Sequence, residues 1–310
     1  MMKKIDECEI CGNTLFTSKF KGFDKLIGIT GEFKIVECNY CGVQFINPQP
    51  SYKELSKYYD NKKYYSLKRI DKNSYKTKLK LFLYKLYFIK NKRYLLKILF
   101  SPIKFMIRTV IIEKDKKLLD IGCGSGQFLY EMKQLGLDVS GIENGILDKE
   151  LADNLRIQNK DLISAKYPSN YFDVITINHV LEHLNNPTAT IREIYRILNQ
   201  DGKLIIGIPN TNSLANKLFN KNWLAYDVPR HLFNYSDKLL IGFLKKNKFK
   251  IKKIRYNSRP SQFVMSFYFM FGIQNKNKGF NKFLELLFIP LTLLVNLIKI
   301  GDQVEILCTK

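Results

Sequence analysis

The strongest constraint on the fold is a glycine-rich turn that follows a short apolar segment. Residues 117–121 predict a buried strand, and three glycines follow at alternate positions, Gly122, Gly124 and Gly126. A helix is predicted over 127–135. A strand, a turn of bare backbone and a helix start are typical of sites that bind a nucleotide or nucleoside.

The residues around this turn favour a cationic nucleoside as its ligand. Asp120 stands directly before the turn, where a carboxylate would repel a pyrophosphate but suit an ammonium or a sulfonium. Gln127 stands where a dinucleotide fingerprint would have glycine, and no Lys-Ser/Thr pair of a triphosphate loop follows. Glu143 ends the predicted second strand, 23 residues after Asp120, where an acid can accept hydrogen bonds from ribose hydroxyls.

Strands and helices continue to alternate up to residue 210. Strands are predicted at 138–142, near Ile157, at 172–177 and at 203–208, and a helix at 189–198. This rhythm predicts a doubly wound α/β fold, in which helices cover both faces of a parallel sheet.

Residues 117–210 resemble class I S-adenosylmethionine (SAM)-dependent methyltransferases. Four pieces carry the resemblance: Leu-Asp-Ile-Gly-Cys-Gly-Ser-Gly at 119–126, Glu143, Tyr-Phe-Asp-Val-Ile-Thr-Ile-Asn-His-Val-Leu-Glu-His-Leu at 171–184, and Asp-Gly-Lys-Leu-Ile-Ile with Pro-Asn at 201–210.

The resemblance implies SAM as the methyl donor and a seven-stranded, Rossmann-like sheet. Its last strand, expected at 303–309, would run in reverse. By the same resemblance, Asp161 would lie near the adenine, while Asn178 and His179 would lie alongside SAM.

Four of the six cysteines form two Cys-x-x-Cys pairs, each followed by a glycine. A tight knuckle needs such a glycine, and the 26 residues between the pairs leave room for a hairpin. Four thiolates complete the tetrahedral coordination of Zn²⁺ and leave no open position, which indicates a structural site rather than a redox one. The predicted ligands are Cys8, Cys11, Cys38 and Cys41.

We therefore predict three regions. Residues 1–50 form a zinc-ribbon-like module, 51–115 a basic helical cap or linker, and 116–310 the methyltransferase domain, with an apolar helical insertion at about 263–300. The two cysteine pairs, Asn-Pro-Gln-Pro at 47–50 and tyrosines at 58, 59, 64 and 65 resemble bacterial methyltransferases with a zinc-binding N-terminus. Sugar C-methyltransferases belong to that group.

The net charge of +23 is concentrated in two segments. Residues 62–117 carry 18 Lys and Arg against three acids, and residues 245–259 carry eight and no acid. These are either solvated lysines of an AT-rich genome or a surface for an anionic partner: a lipid surface, a phosphorylated carrier or nucleic acid. Base N-methylation is disfavoured, because Asn-His-Val-Leu at 178–181 replaces the usual Asn/Asp-Pro-Pro-aromatic motif.

Two segments have compositions suited to a lipid surface. Residues 79–112 interleave basic and apolar residues, although a pair of helices capping the catalytic domain explains them as well. The insertion at 263–300 is very apolar but too broken to span a bilayer. Because no apolar run follows the first lysines, a cytoplasmic location is expected, with peripheral contact at the inner membrane face as an option. Oligomeric state is left open.

His231 is the candidate general base, with Tyr235 as a second catalytic candidate. Sugar C-methyltransferases carry Glu-His followed by Tyr in a comparable stretch, and here Arg230 replaces that Glu. Two alternatives stay open: His231 only bonds a loop carbonyl, or Arg230 holds an anionic group of the acceptor.

His179, Glu182 and His183 form a His-x-x-Glu-His segment. It is similar to one in ubiquinone-pathway O-methyltransferases, where acids and the histidine hold a divalent metal, so a second metal site and a pocket-shaping role are both open. The leading hypothesis is methylation of a small or carrier-linked acceptor, a sugar or glycan precursor of cell-surface polysaccharide. The alternatives are an RNA methyltransferase and a SAM-binding scaffold without activity.

Overall fold

The computed structural model describes residues 2–59, 74–89, 93–145, 149–273 and 277–310. The described strands are β1 Phe16–Gly22, β2 Phe33–Cys38, β3 Gln44–Ile46, β4 Lys117–Ile121, β5 Asp138–Ile142, β6 Ile157–Gln158, β7 Phe172–Asn178, β8 Leu198–Pro209, β9 Phe233–Asn234, β10 Lys250–Tyr256 and β11 Gln303–Thr309. The described α-helices are α1 Tyr52–Ser56, α2 Tyr75–Phe88, α3 Tyr94–Leu99, α4 Gln127–Lys133, α5 Lys149–Asn154, α6 Pro187–Ile197, α7 Leu214–Phe219, α8 Asp237–Lys246, α9 Pro260–Phe271, α10 Lys278–Leu287 and α11 Ile289–Leu297.

The larger sheet has seven strands in the order β6-β5-β4-β7-β8-β11-β10. Strands β4 to β8 are parallel, whereas β11 runs antiparallel to both β8 and β10. The predicted Rossmann-like sheet with a reversed last strand at 303–309 is confirmed. The glycine turn follows β4, the middle one of the five parallel strands, at their carboxyl edge.

The central strands are buried on both faces, which explains their continuous apolar runs. Leu118, Leu119 and Ile175 have no exposed surface. Helix α6 covers one face with its buried Ile191 and Ile194, and the side chain of Asn186 caps its N-terminus by accepting a hydrogen bond from the Ala189 N–H.

Helix α2 packs on the catalytic domain. Leu83 and Tyr84 of α2 are buried in the same core cluster as Leu118 and Phe128. The interpretation of 79–112 as a pair of capping helices stays a prediction. The helix expected after residue 50 is short: α1 is followed by a 3₁₀ turn at Lys57–Tyr59. The tyrosines at 64 and 65, which contribute to the family resemblance, lie outside the described residues.

The N-terminal module shares a sheet with the catalytic domain. Strands β1 and β2 form the hairpin expected between the cysteine pairs, and β3 pairs with β9, with Phe45 opposite Phe233. Both phenylalanines are fully buried in one continuous core cluster. The module and the catalytic domain therefore share one hydrophobic core. The predicted boundary between them at residue 50 stays a prediction.

The apolar insertion folds into three helices, α9, α10 and α11. Within the described part of the chain, no helix taken singly has the length and apolar character to cross a membrane. The pair Gly279–Leu287 and Ile289–Leu297, bent by 42°, meets those criteria when its two helices are taken together.

Candidate active site

The glycine turn has a backbone conformation that favours glycine, and its first glycine has no room for a side chain. Gly122, Gly124 and Gly126 all have positive φ, a region that side chains other than glycine rarely adopt. A Cβ on Gly122 would lie 2.2 Å from Cγ2 of Val180. The turn thus leaves backbone accessible between β4 and α4, as the sequence predicts for a nucleoside site.

Glu143, at the tip of β5, reaches back to this turn. Its carboxylate accepts hydrogen bonds from the N–H of Gly124 at 2.7 Å and of Gly145 at 3.0 Å. Each oxygen keeps a second lone pair for a further donor. The contact places Glu143 beside the turn, as a ribose acceptor requires; the ribose role itself stays a prediction.

Asp120 is completely buried, and Arg108 balances its charge. Its carboxylate accepts a hydrogen bond from the Thr176 hydroxyl at 2.6 Å, and Nη1 of Arg108 lies 3.4 Å away. Burial raises the pKa of Asp120, while Arg108 and Thr176 act against that shift. The guanidinium also lies over the ring of Phe128, 4.8 Å from its centroid.

Arg108 is the site residue that the sequence did not reveal. It comes from the segment before β4 and stands within residues 62–117, which hold 18 cationic residues. No motif marks it, because its role depends on a contact across the fold.

Asp161 and Asn178 lie at the carboxyl edge of the sheet, as expected. Asp161 is exposed after β6, and hydrogen bonds from the side chain and N–H of Ser164 lower its pKa. Asn178 ends β7, and its side-chain oxygen would lie 2.2 Å from a Cβ on Gly207. The adenine role of Asp161 and the SAM contact of Asn178 stay predictions.

Three histidines and Glu182 meet just past β7. Nδ1 of His179 lies 3.3 Å from Oε1 of Glu182, and Nε2 of His231 lies 3.9 Å from the same oxygen. The rings of His183 and His231 are 4.6 Å apart, edge to face. Glu182 is 1% exposed, and no described donor makes a well-directed hydrogen bond to its carboxylate.

This cluster contains a set of metal-ligand atoms. Glu182, His183 and His231 each offer one such atom within 4.8 Å of the other two. His231 comes from a different segment than the His-x-x-Glu-His motif, so the sequence pattern did not include it. The second metal site stays a prediction.

His231 is held as a neutral imidazole. Its Nδ1 lies 2.7 Å from the carbonyl oxygen of Ala225, so Nδ1 donates and Nε2 carries the free lone pair. Burial and the neighbouring His183 lower the pKa of His231 to about 4. The loop-carbonyl contact and the base role are therefore compatible, because they use different nitrogens.

Arg230 is not available to an acceptor. Its guanidinium is completely buried, and it donates to Asp24 at 2.7 Å, to Asp227 at 2.6 Å and to the Tyr58 carbonyl at 3.1 Å. The hypothesis that Arg230 holds an anionic group of the acceptor is wrong, because its donors already join the module to the catalytic domain.

Tyr235 lies in the core between the two sheets. Its side chain is fully buried beside Phe233. Within the described residues its hydroxyl has no hydrogen-bond partner, and burial raises its pKa well above the ordinary value. A catalytic role for Tyr235 stays a prediction, and it would require this part of the core to open.

The four predicted zinc ligands converge. The Sγ atoms of Cys8 and Cys41 are 3.7 Å apart and those of Cys11 and Cys38 3.6 Å apart. Thiolates around tetrahedral Zn²⁺, with Zn–S bonds of ~2.3 Å, lie about 3.8 Å apart. The N–H of the glycine after each pair bonds the carbonyl of that pair's first cysteine. The donor set and its spacing fit Zn²⁺.

The middle of the chain matches a known family. A family model described as a methyltransferase domain covers residues 91–254, more than half of the chain. The chain belongs to this methyltransferase family. The class I SAM-dependent assignment made from the motifs of residues 117–210 is confirmed.

The methyltransferase matches curated relatives over part of its length. It is 30% identical over 134 residues to a ubiquinone biosynthesis O-methyltransferase of Xanthomonas oryzae, a match that covers 39% of this chain and 55% of that protein. The chain thus spans about half the length of the curated relatives it matches.

The chain is also similar to solved structures, at low sequence identity. A SAM-dependent methyltransferase from Archaeoglobus fulgidus has a TM-score of 0.44 at 19% identity, covering 74% of this chain and 99% of that one. The 1,6-didemethyltoxoflavin-N1-methyltransferase of Burkholderia thailandensis has a TM-score of 0.48 at 12% identity, covering 94% and 99%. Because both TM-scores are below 0.5, no conclusion about this chain is drawn from either likeness.

Proposed function

We propose that this methyltransferase moves the methyl group of SAM to a hydroxyl or an acidic carbon of a small or carrier-linked acceptor. A sugar or glycan precursor is the proposed acceptor class. The observation that carries the proposal is the free Nε2 of His231, which faces the buried Glu182 at the same sheet edge as the glycine turn.

Residues around the turn suit the two ends of SAM. Glu143 has lone pairs for the ribose hydroxyls, and the bare backbone at Gly124 allows close approach. Asp120 and Arg108 set a carboxylate beside a guanidinium, matching the ammonium and carboxylate of an amino acid. When bound, SAM supplies an electrophilic methyl carbon on a leaving group that departs uncharged.

His231 would receive the acceptor's proton. An O–C or C–C bond forms as the C–S bond breaks, and the proton of the attacking hydroxyl or carbon acid passes to Nε2. Glu182, 3.9 Å from Nε2, would stabilise the resulting imidazolium. Because its pKa is low, His231 is unprotonated at neutral pH. A low pKa also weakens a base, and the neighbouring Glu182 carboxylate acts against that shift.

We also propose that Cys8, Cys11, Cys38 and Cys41 bind a structural Zn²⁺. Their sulfur spacing supports this, as does the closed arrangement of two knuckles. Reduced thiolates suit the cytoplasm, which remains the proposed compartment.

A second candidate acceptor is a phenol. The curated relatives are named for O-methylation in ubiquinone biosynthesis, and a phenolic hydroxyl needs the same base as a sugar hydroxyl. The RNA alternative rests on the zinc module and the basic stretch at 62–117.

The test is transfer of labelled methyl from SAM to three acceptor pools: nucleotide sugars and glycan precursors, phenols, and RNA. We expect product in the first pool and its loss in His231→Ala, with S-adenosylhomocysteine (SAH) binding retained as proof of folding. Glu182→Gln should lower kcat and leave SAH binding intact. Full activity of His231→Ala contradicts the base assignment, and SAM binding without transfer to any pool supports the scaffold alternative.

A further inference from the structure

Helix α10 is oriented with its apolar side away from the protein. Its polar Asn281 points inward, where its side-chain oxygen accepts a hydrogen bond from the Tyr268 hydroxyl of α9 at 2.7 Å. Phe283, Leu286 and Leu287 are 55%, 63% and 59% exposed. An amphipathic helix of a globular domain normally does the opposite and packs its apolar stripe on the core.

The two neighbouring helices repeat this arrangement. On α11, Asn296 faces inward and accepts from the N–H of Ser258 at 2.9 Å, while Leu297 is 77% exposed. On α9, the buried Ser266 hydroxyl accepts from the N–H of Leu224 at 2.9 Å. Each of the three helices thus makes an inward polar contact and exposes large apolar side chains, while Phe263 and Val264 of α9 and Val295 of α11 are also buried.

The three helices are neighbours, because α10 contacts both α9 and α11. We call their exposed apolar side chains the outer helical face. Large exposed apolar patches on soluble proteins mark sites of interaction with proteins, ligands or membranes. Its exposed members are Phe267, Met270, Phe271, Ile273, Phe280, Phe283, Leu286, Leu287, Leu293, Leu294, Leu297 and Ile298.

Lysines surround this face. Residues 260–300 hold four lysines and one acid, and Lys282 and Lys299 are exposed beside the apolar residues. Exposed Lys217 lies on α7, which packs against α9. Lys25 and Lys221 line a cleft that also includes Phe269 of α9.

The apolar centre and the cationic rim of the outer helical face together favour one kind of partner over another. A second copy of this chain, which carries a net charge of +23, would bring the same lysines against the rim. An anionic lipid surface complements both features, since its headgroups pair with lysines and its acyl region accepts the apolar side chains.

We propose that the outer helical face docks on an anionic phospholipid bilayer. Each helix alone, with 12, 10 or 9 residues, is too short to span a bilayer. Because α10 and α11 are bent by 42° against each other, the proposal places them in the interface. The face adjoins the candidate active site: Leu224, bonded to Ser266, begins the turn in which Ala225 accepts the hydrogen bond from His231. This inference does not depend on the proposed acceptor.

The experiment is flotation of the full chain with vesicles of phosphatidylcholine alone or with ~30% phosphatidylglycerol. We expect binding to the anionic vesicles that weakens as salt rises, because lysine attraction is screened. The variant Leu286→Glu/Leu297→Glu should reduce the bound fraction roughly tenfold, since two charges would enter the acyl boundary. The matched control is Leu15→Glu/Ile163→Glu, two exposed apolar residues (64% and 54%) that lie outside the face and outside the basic segment 79–112.

Calorimetry of SAH binding, made without lipid, reports whether the protein is folded and binds its cofactor. A loss of membrane docking can therefore be distinguished from a loss of the cofactor site. The proposal is overturned if wild type binds SAH but does not float with anionic vesicles, or if the control variant loses as much binding as the face variant. It is also overturned if wild type is a dimer that the face variant dissociates and no vesicle binding occurs, because a second copy then covers the face.

Discussion

Arg230 and Asp24 form an ion pair of 2.7 Å although both side chains are completely removed from solvent. Asp24 belongs to the N-terminal module, and Arg230 belongs to the catalytic domain, directly before His231. Asp227 supplies a second carboxylate to the same guanidinium. A buried pair of this kind fixes the position of one part against the other more than it adds net stability.

Removing Arg230 should destabilise the whole chain. Arg230→Met leaves the buried Asp24 carboxylate without its cation, at a cost of about 3–5 kcal/mol in the free energy of unfolding. Urea unfolding of the zinc-loaded protein measures it. The control is Lys21→Met, which removes a pair with Glu32 in which both side chains are more than half exposed, and no measurable change is expected. Equal effects of the two substitutions would contradict the role of Arg230.

The low pKa of His231 makes stability depend on pH. The folded state holds this pKa at about 4, against an ordinary value of 6.5. Above pH 6.5, His231 is neutral in both the folded and the unfolded chain, so its titration does not affect the free energy of unfolding. Between pH 6.5 and 4 the unfolded chain binds a proton that the folded chain does not, so stability falls with pH by up to about 3 kcal/mol.

His231→Gln should remove this part of the acid sensitivity. Urea midpoints at pH 7.5 and 4.5 should therefore differ less in the variant than in wild type. Any acid release of zinc is common to both proteins, so it cancels in the comparison. The same pH dependence in both would show that His231 titrates normally.

Local sequence pattern was sufficient for the centre of the fold. Residues 117–121 and 138–142 form β4 and β5 with the predicted bounds, because an apolar strand, glycine turn and helix start are defined by neighbours in sequence. The same holds for each cysteine knuckle. The two knuckles could be assigned to one metal centre from the sequence, because four thiolates are what a tetrahedral Zn²⁺ requires.

Contacts between distant segments could not be read from pattern. Arg108 reaches Asp120, β9 extends the sheet of the module, and His231 approaches Glu182. Each depends on how separate elements pack in space. Arg230 is the clearest example of a contact that the sequence could not predict. Its position suggested that it binds the substrate, whereas it is buried in ion pairs with Asp24 and Asp227 and has a structural role.

The cysteine centre should hold one Zn²⁺ per chain. Cys38→Ser should lower the zinc content to near zero and destabilise the module by several kcal/mol, because metal binding contributes directly to folding. Metal analysis and thermal unfolding measure the two effects. Cys308→Ala is the control, since Cys308 lies buried in β11 and its loss should leave zinc content unchanged. Wild type without zinc after gentle purification would contradict the site.

Glu143 should determine affinity for the nucleoside. Its carboxylate accepts a hydrogen bond from the N–H of Gly124 in the turn and has further lone pairs for ribose hydroxyls. Hydrogen bonds to a charged group contribute about 1.5–3 kcal/mol, so Glu143→Ala should raise the Kd for SAH by roughly 10- to 150-fold, and Glu143→Gln by less. Calorimetry measures this, with Glu150→Ala, an exposed acid on α5, as the matched control. If Glu143→Ala bound SAH as tightly as wild type, the ribose would be held by a group other than the acid at the tip of β5.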